Sequence, residues 1–201
     1  MKQLLYFLVL PALVLAYAWF ASCNQPTNSQ KLPAQYRQTG DSVTTQAQQL
    51  LLKNLNGAVE QGGYGYAVEF CNIYADSLTK LAALPLITGI QRLSANNRNP
   101  KNALSAPQDI AMFAHYTNQK ANQKAITDTV VTTDNGYVYY KPIMLVMPTC
   151  LKCHGKPNAD IDAAALEIIT QKYPTDRAQG YQLNDLRGMW KLTFAGEFTN
   201  P

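Results

Sequence analysis

The stretch Ala125-Ile126-Thr127-Asp128-Thr129-Val130-Val131, followed beyond Asp134-Asn135 by Gly136-Tyr137-Val138-Tyr139-Tyr140, decides the fold class. Both runs are rich in β-branched and aromatic residues, which suit a pleated, half-buried surface. Asp134-Asn135-Gly136 between them is a hairpin signal, because a tight turn needs residues that tolerate positive φ. Ile143 to Met147 reads as a further strand, Ile87 to Leu93 as an earlier short one, and Met189 to Phe194 as the last. Helical spacing surrounds them. From Ser42 to about Gln61, residues Ala47, Leu50, Leu51, Leu55 and Val59 share one face, with Thr44 or Ser42 as cap and Gly62-Gly63-Tyr64-Gly65 as terminator. A second helix spans about Tyr66 to Leu81, turning Ala67, Cys71, Tyr74, Ala75 and Leu78 inward and Glu69, Asn72, Asp76 and Lys80 to water. A third runs from Pro107 to about Lys120, with proline where a missing N–H costs nothing, and a fourth from Ile161 to Lys172. Helices flanking an antiparallel sheet make this an α+β domain.

The rest of the chain bounds its class. Of 201 residues 47% are hydrophobic and 15% charged, which is enough apolar material for one real core. The net charge of +4 comes from scattered lysines and arginines with no run of five or six, so neither a nucleic-acid stripe nor a polybasic lipid patch is present. The first 22 residues differ. Lys2 precedes an apolar run from Leu4 to Ala16, and Trp19-Phe20-Ala21-Ser22-Cys23 closes it. This has the form of a secretory signal, and its end resembles the lipobox of bacterial lipoproteins, except that Phe20 stands where an aliphatic residue is usual. That resemblance implies removal of residues 1–22 and lipidation of Cys23, with 23–41 as anchor and polar tether and 42–201 as the domain. An uncleaved membrane anchor is the alternative, against which Pro11 interrupts the apolar run. Either way the domain is exported and held at a bacterial membrane, in the periplasm or cell envelope.

Cys150-Leu151-Lys152-Cys153-His154 has the spacing of c-type haem attachment. Two thiols must meet the two vinyl groups on one porphyrin edge, and the adjacent histidine is then carried beneath the iron. A zinc site would need a second ligand pair, a thioredoxin-like pair would need a βαβ surround, and a plain disulfide needs neither. Four cysteines in an exported chain invite two disulfides. With Cys23 at the leader boundary and two cysteines in the motif, Cys71 is left over.

The sixth iron position decides reactivity. From pattern alone its candidates are His115, Met112, Met144, Met147, Met189 and Cys71, or none, and each also reads as ordinary packing. Gln91-Arg92-Leu93-Ser94 with Asn97-Arg98-Asn99-Pro100-Lys101-Asn102, then Cys150 to Gly155, Tyr173 to Tyr181 and Arg187-Gly188, are similar in kind and order to segments of the PAS-like c-type haem domain family. The resemblance covers about residues 42–196. It implies a PAS-like antiparallel sheet flanked by helices, one covalently bound haem c, and a His/Cys axial pair of His154 and Cys71. An acidic residue is common in that family shortly after the Arg-Asn-Pro segment, where this chain has Gln108-Asp109. Arg92 and Arg98 are candidates for the haem propionates, because arginine matches carboxylate geometry; the alternative is that they brace the Asn99-Pro100 loop. The function expected is redox or diatomic-gas sensing through a partner protein, with simple electron transfer as the alternative. An enzyme is not expected, because no distal acid–base pair accompanies the motif.

Overall fold

The structure, a computed structural model, describes residues 28–80 and 86–195. The leader and Cys23 lie outside them. Residues from Ala34 onward cluster as one compact unit. Helix α1 (Asn28–Lys80) leaves helical geometry at Gly62 and Gly63, where the sequence places its glycine break. Gly63 has φ 73°, a conformation glycine adopts without the penalty a Cβ would bring.

One expectation fails at the start of this helix. The segment to residue 41, read as a polar tether, is helical from Asn28, and the domain begins well before residue 42. Tyr36, Gly40, Val43 and Ala47 recur at helical spacing and are all buried, but only Tyr36 among the first two carries a side chain that betrays the stripe. Gly40 lies flat on the Tyr139 ring, where a Cβ would collide with it. Thr44, expected as a cap, is a mid-helix residue whose hydroxyl donates to the Gly40 carbonyl at 2.7 Å.

Four strands, β1 (Ile87–Leu93), β2 (Thr129–Thr133), β3 (Gly136–Met144) and β4 (Leu186–Phe194), form an antiparallel sheet in the order β1-β4-β3-β2. The hairpin closes as expected, with Thr133 opposite Gly136. Residues 125–128 are not part of β2, and β3 continues through Pro142 to Met144. The separate strand expected at Ile143 to Met147 is therefore the end of β3, where the register shifts and Leu145 leaves the sheet.

Period-two alternation gives the sheet two faces. Tyr137, Tyr139 and Lys141 of β3 share a face with Trp190, Leu192 and Phe194 of β4 and with Arg92 of β1. The first part of α1 covers this face: Tyr36 stacks on Tyr137 at 4.0 Å between centroids and meets Phe194 edge-on at 5.0 Å. Such aromatic pairs contribute about 0.5–1.5 kcal/mol beyond the area they bury. On the opposite face helix α2 (Pro107–Ala121) packs Tyr116 onto Leu93, Val138, Tyr140 and Met189. The α+β class and the sheet flanked by helices are both as expected.

A helical layer then carries the cysteine motif. A 3-10 turn (Pro148–Cys150) runs into α3 (Leu151–His154), and α4 (Ala163–Lys172) follows, capped by Asp162 accepting from the Ala165 N–H at 3.1 Å. Ile161, Ala165, Ile169 and Tyr173 pack on Val68, beyond the glycine break of α1, with part-buried Cys153 against them. Among the described residues no helix is long and apolar enough to cross a membrane.

Candidate functional site

Where β3 ends, Leu145 is clamped between Asp185 and Asn184 by backbone hydrogen bonds of 3.0 and 2.7 Å, which directs the chain away from the sheet. The Cys150 N–H donates to the Met147 carbonyl at 3.0 Å and the Gly155 N–H to the Leu151 carbonyl at 2.9 Å, so residues 148–154 wind continuously. Residues three apart on such a turn project to the same side, which puts Cys150 and Cys153 together. Both, like Cys71, are part-buried free thiols.

His154 is held by the segment after α4. Its Nδ1 stands 2.9 Å from the Ala178 carbonyl, while backbone bonds from Tyr181 to His154 (3.0 Å) and Gly180 to Gly155 (2.8 Å) strap the two segments together. A carbonyl only accepts, so Nδ1 carries the proton and Nε2 is left with its lone pair. Tyr181 meets the imidazole edge-on at 6.4 Å. Burial, then the charges of Arg187 and Arg98, push the imidazolium well below its ordinary pKa and keep the ring neutral.

Arg98 organises this strap. Its Nη2 donates to the Cys153 carbonyl at 2.6 Å, and its Nε and Nη2 grip Asp176 at 3.2 and 3.1 Å. Asp176 also accepts from the Ala178 N–H (2.9 Å) and the Gln179 amide (2.8 Å), so one carboxylate fixes the carbonyl that orients His154. Both residues are part-buried, with side chains 12% and 3% exposed.

Cys71 lies in the electrostatic neighbourhood of the motif. Burial pushes its thiol pKa up, while Arg92 and Arg98 pull it down. The Cys153 thiol is pushed up to about 11, chiefly by burial, with Arg98 opposing and Cys71 among the charges that raise it. Arg92 pairs loosely with Asp76 at 3.6 Å. Arg187 donates from Nη1 to the Ser94 hydroxyl and the Asn96 carbonyl, both at 3.0 Å, and stands 5.5 Å over the Tyr181 ring. Among the described residues no three His, Cys, Asp or Glu side chains gather as a site for a bare metal ion.

The model of the Tll0287-like family matches residues 27–195. The chain belongs to that family. The crystal structure of the cyanobacterial heme-protein Tll0287 superposes with a TM-score of 0.54 at 20% identity, covering 86% of this chain and 97% of that one. At that identity the likeness is one of fold. No curated protein sequence matches the chain.

The fold brings Cys150, Cys153, His154, Cys71, Arg92 and Arg98 into one neighbourhood, and it separates other candidates from them. Met112, Met144 and Met189 pack in the cluster under α2, on the opposite face of the sheet. His115 is exposed on α2. Met147, 37% exposed, precedes the motif directly. Tyr74, expected inward beside Cys71, is 49% exposed. Arg98 takes a bracing role, since its Nε and Nη2 meet Asp176 and two carbonyls, while its Nη1 has no bond among the described residues and leaves the propionate assignment open. Sequence reasoning missed Asp176, the Ala178 carbonyl and Arg187. All three stood within quoted segments, but nothing in a linear pattern says which arginine a carboxylate will claim.

Proposed function

We propose that this chain is an exported, membrane-anchored monohaem c-type cytochrome that senses redox state or a diatomic gas, with His154 and Cys71 as axial ligands. The observation that carries the reading is the orientation of His154: its Nδ1–H is fixed on Ala178, which leaves Nε2 as a free donor beside two thiols on one helical turn. That donor set suits one covalent haem c, and the family to which the chain belongs includes a haem-protein of known structure. The leader and Cys23 support export and a lipid anchor.

When bound, haem supplies a one-electron Fe(III)/Fe(II) couple and an exchangeable axial position. Cys150 and Cys153 would hold it through two thioethers, and His154 would ligate from a ring whose tautomer the protein has already chosen. Cys71 supports the sixth position better than the other candidates, because it is a free thiol on a separate element beside the motif while three of the methionines serve a different core. Arg92 and Arg98 favour its thiolate, and an anionic ligand stabilises ferric iron. A ligand arriving from a helix rather than from the motif can leave without detaching the haem. That favours sensing over plain electron transfer, with the output passed to a redox or signalling partner protein.

The test is the visible spectrum of the full chain coexpressed with c-haem maturation proteins. Wild type retains haem on a denaturing gel, and the Cys150→Ser/Cys153→Ser double variant loses it. Cys71→Ala keeps the covalent haem but changes the ferric low-spin bands, and ferrous wild type binds carbon monoxide. A ferric spectrum untouched by Cys71→Ala would return the sixth position to Met147, and absence of gas binding with unchanged ligation would leave electron transfer.

A further inference from the structure

Arg187 is a part-buried cation with no carboxylate in contact among the described residues. Its Nη1 is engaged by two neutral oxygens, Ser94 Oγ and Asn96 O. Its Nε–H is buried, with less than 1 Å² of exposed area, and meets no acceptor. Asp176, the carboxylate whose charge reaches it, is already bonded by Arg98. A buried donor left unmade costs about 1–3 kcal/mol, and native folds seldom leave one; the Tyr181 phenol interacts with the same guanidinium, and Nε–H is open to an acceptor beyond those the described residues supply.

Its surroundings identify that acceptor. Arg187 lies over Tyr181, and the same ring meets His154 edge-on, so the guanidinium stands one aromatic ring from the imidazole. Arg98 instead touches the backbone of Cys153, on the thioether side. The two propionates of a haem leave from the edge opposite its thioethers. Arg92, the third arginine acting on the histidine, faces Asp76 and Cys71, so the arginine near the histidine and away from the cysteines, the one a propionate can reach, is Arg187. Resting on the haem reading above, we propose that Arg187 is the propionate anchor of this site, its free Nε–H donating to one haem propionate held as the carboxylate. The anchor couples the haem edge to Ser94 and Asn96, and through them to β1 and the Arg98 loop, because the Ser94 hydroxyl also donates to the Arg187 carbonyl at 2.7 Å.

The experiment compares the full-length holoproteins of wild type, Arg187→Gln and Arg187→Lys by haem content, resonance Raman and reduction potential from pH 5 to 9. Arg187→Gln is expected to keep covalent haem and to shift the propionate bending band. Loss of the charge lowers the midpoint potential by about a tenfold change in the Fe(III)/Fe(II) ratio, or ~59 mV for one electron. A pH-dependent step then enters between pH 5 and 8 as the unpaired propionate takes a proton. Arg187→Lys keeps the charge and most of the potential but still moves the band, and it carries the test should the glutamine variant fail to fold. An unmoved propionate band in either folded variant overturns the anchor. A wild-type chain without covalent haem overturns the haem reading itself, and that result is read before any variant is compared.

Discussion

The two sides of the sheet deal with buried charge in opposite ways. Under α2, Asp109 is almost wholly buried, accepts from the Tyr140 hydroxyl at 2.6 Å and pairs with Lys191 at 2.9 Å. Burial pushes the Tyr140 phenol far above its ordinary pKa, and Tyr116 beside it up to about 12, so both hydroxyls stay neutral donors. One anion meets one cation, and apolar residues from Leu93 to Met189 close around them. Around the cysteine motif, three arginines act on one histidine, Asp176 is committed to one of them, and the buried Arg187 Nε–H meets no acceptor among the described residues. The side under α2 pairs its buried charges, and leaves one neutral acceptor, Gln119 Oε1, buried without a partner among the described residues. The motif side leaves a donor of a charged group unmet among the described residues, the kind of local breach that accompanies functional sites.

That contrast is broken most directly at Asp176. Asp176→Asn leaves the Arg98 charge buried without its partner, which costs about 3–5 kcal/mol when both members are this enclosed. It also slackens the Ala178 carbonyl that orients His154, so the ferric spectrum of the variant should broaden or change along with its urea midpoint. A loss below about 1 kcal/mol with an unaltered spectrum would mean that the strap is held by its backbone bonds and that Arg98 braces nothing.

Much of this was legible in the sequence because it is local. The hairpin, the glycine break in α1, the proline start of α2 and the Cys-x-x-Cys-His turn are each written within a few residues. The start of α1 was not, because its packing stripe passes through Gly40, whose value lies in having no side chain against Tyr139. Nor was the division of labour among the arginines. Arg98 and Asp176 are 78 residues apart, and Arg187 reaches Ser94 across 93, so their roles are set by β1 lying beside β4 in the sheet. The Gln108-Asp109 position, ambiguous in the sequence, is structural: its carboxylate serves Tyr140 and Lys191 on the side away from the motif.

A smaller effect sharpens the contrast from the closed side. Tyr140→Phe removes the donor to Asp109 but leaves Lys191 in place. A hydrogen bond to a charged acceptor contributes about 1.5–3 kcal/mol, so denaturant unfolding should show a loss in that range. The haem spectrum and reduction potential should be those of wild type, since this network faces away from the cysteines. A shifted potential would show that the two sides are coupled through the strands, and the division drawn above would fail.

The smallest effect belongs to the ion pair that neither side encloses. Arg37 near the start of α1 grips Asp128 ahead of β2 at 2.6–3.1 Å, but its own side chain is 55% exposed. Arg37 holds the Asp128 carboxyl below its usual range, against an opposing effect of partial burial. A carboxylate whose folded pKa is depressed binds fewer protons folded than unfolded. Its stabilisation is therefore full above the unfolded value near 3.9 and disappears as pH falls through the folded one. Solvent screening holds the pair to less than about 1 kcal/mol. Asp128→Asn should thus unfold only slightly more easily than wild type at pH 7, with a difference that shrinks in high salt and closes below about pH 4. A gap as large as that of Asp176→Asn, or one that persists in acid, would mean that exposure does not govern what these pairs contribute, and the ordering of the three regions by enclosure would have to be abandoned.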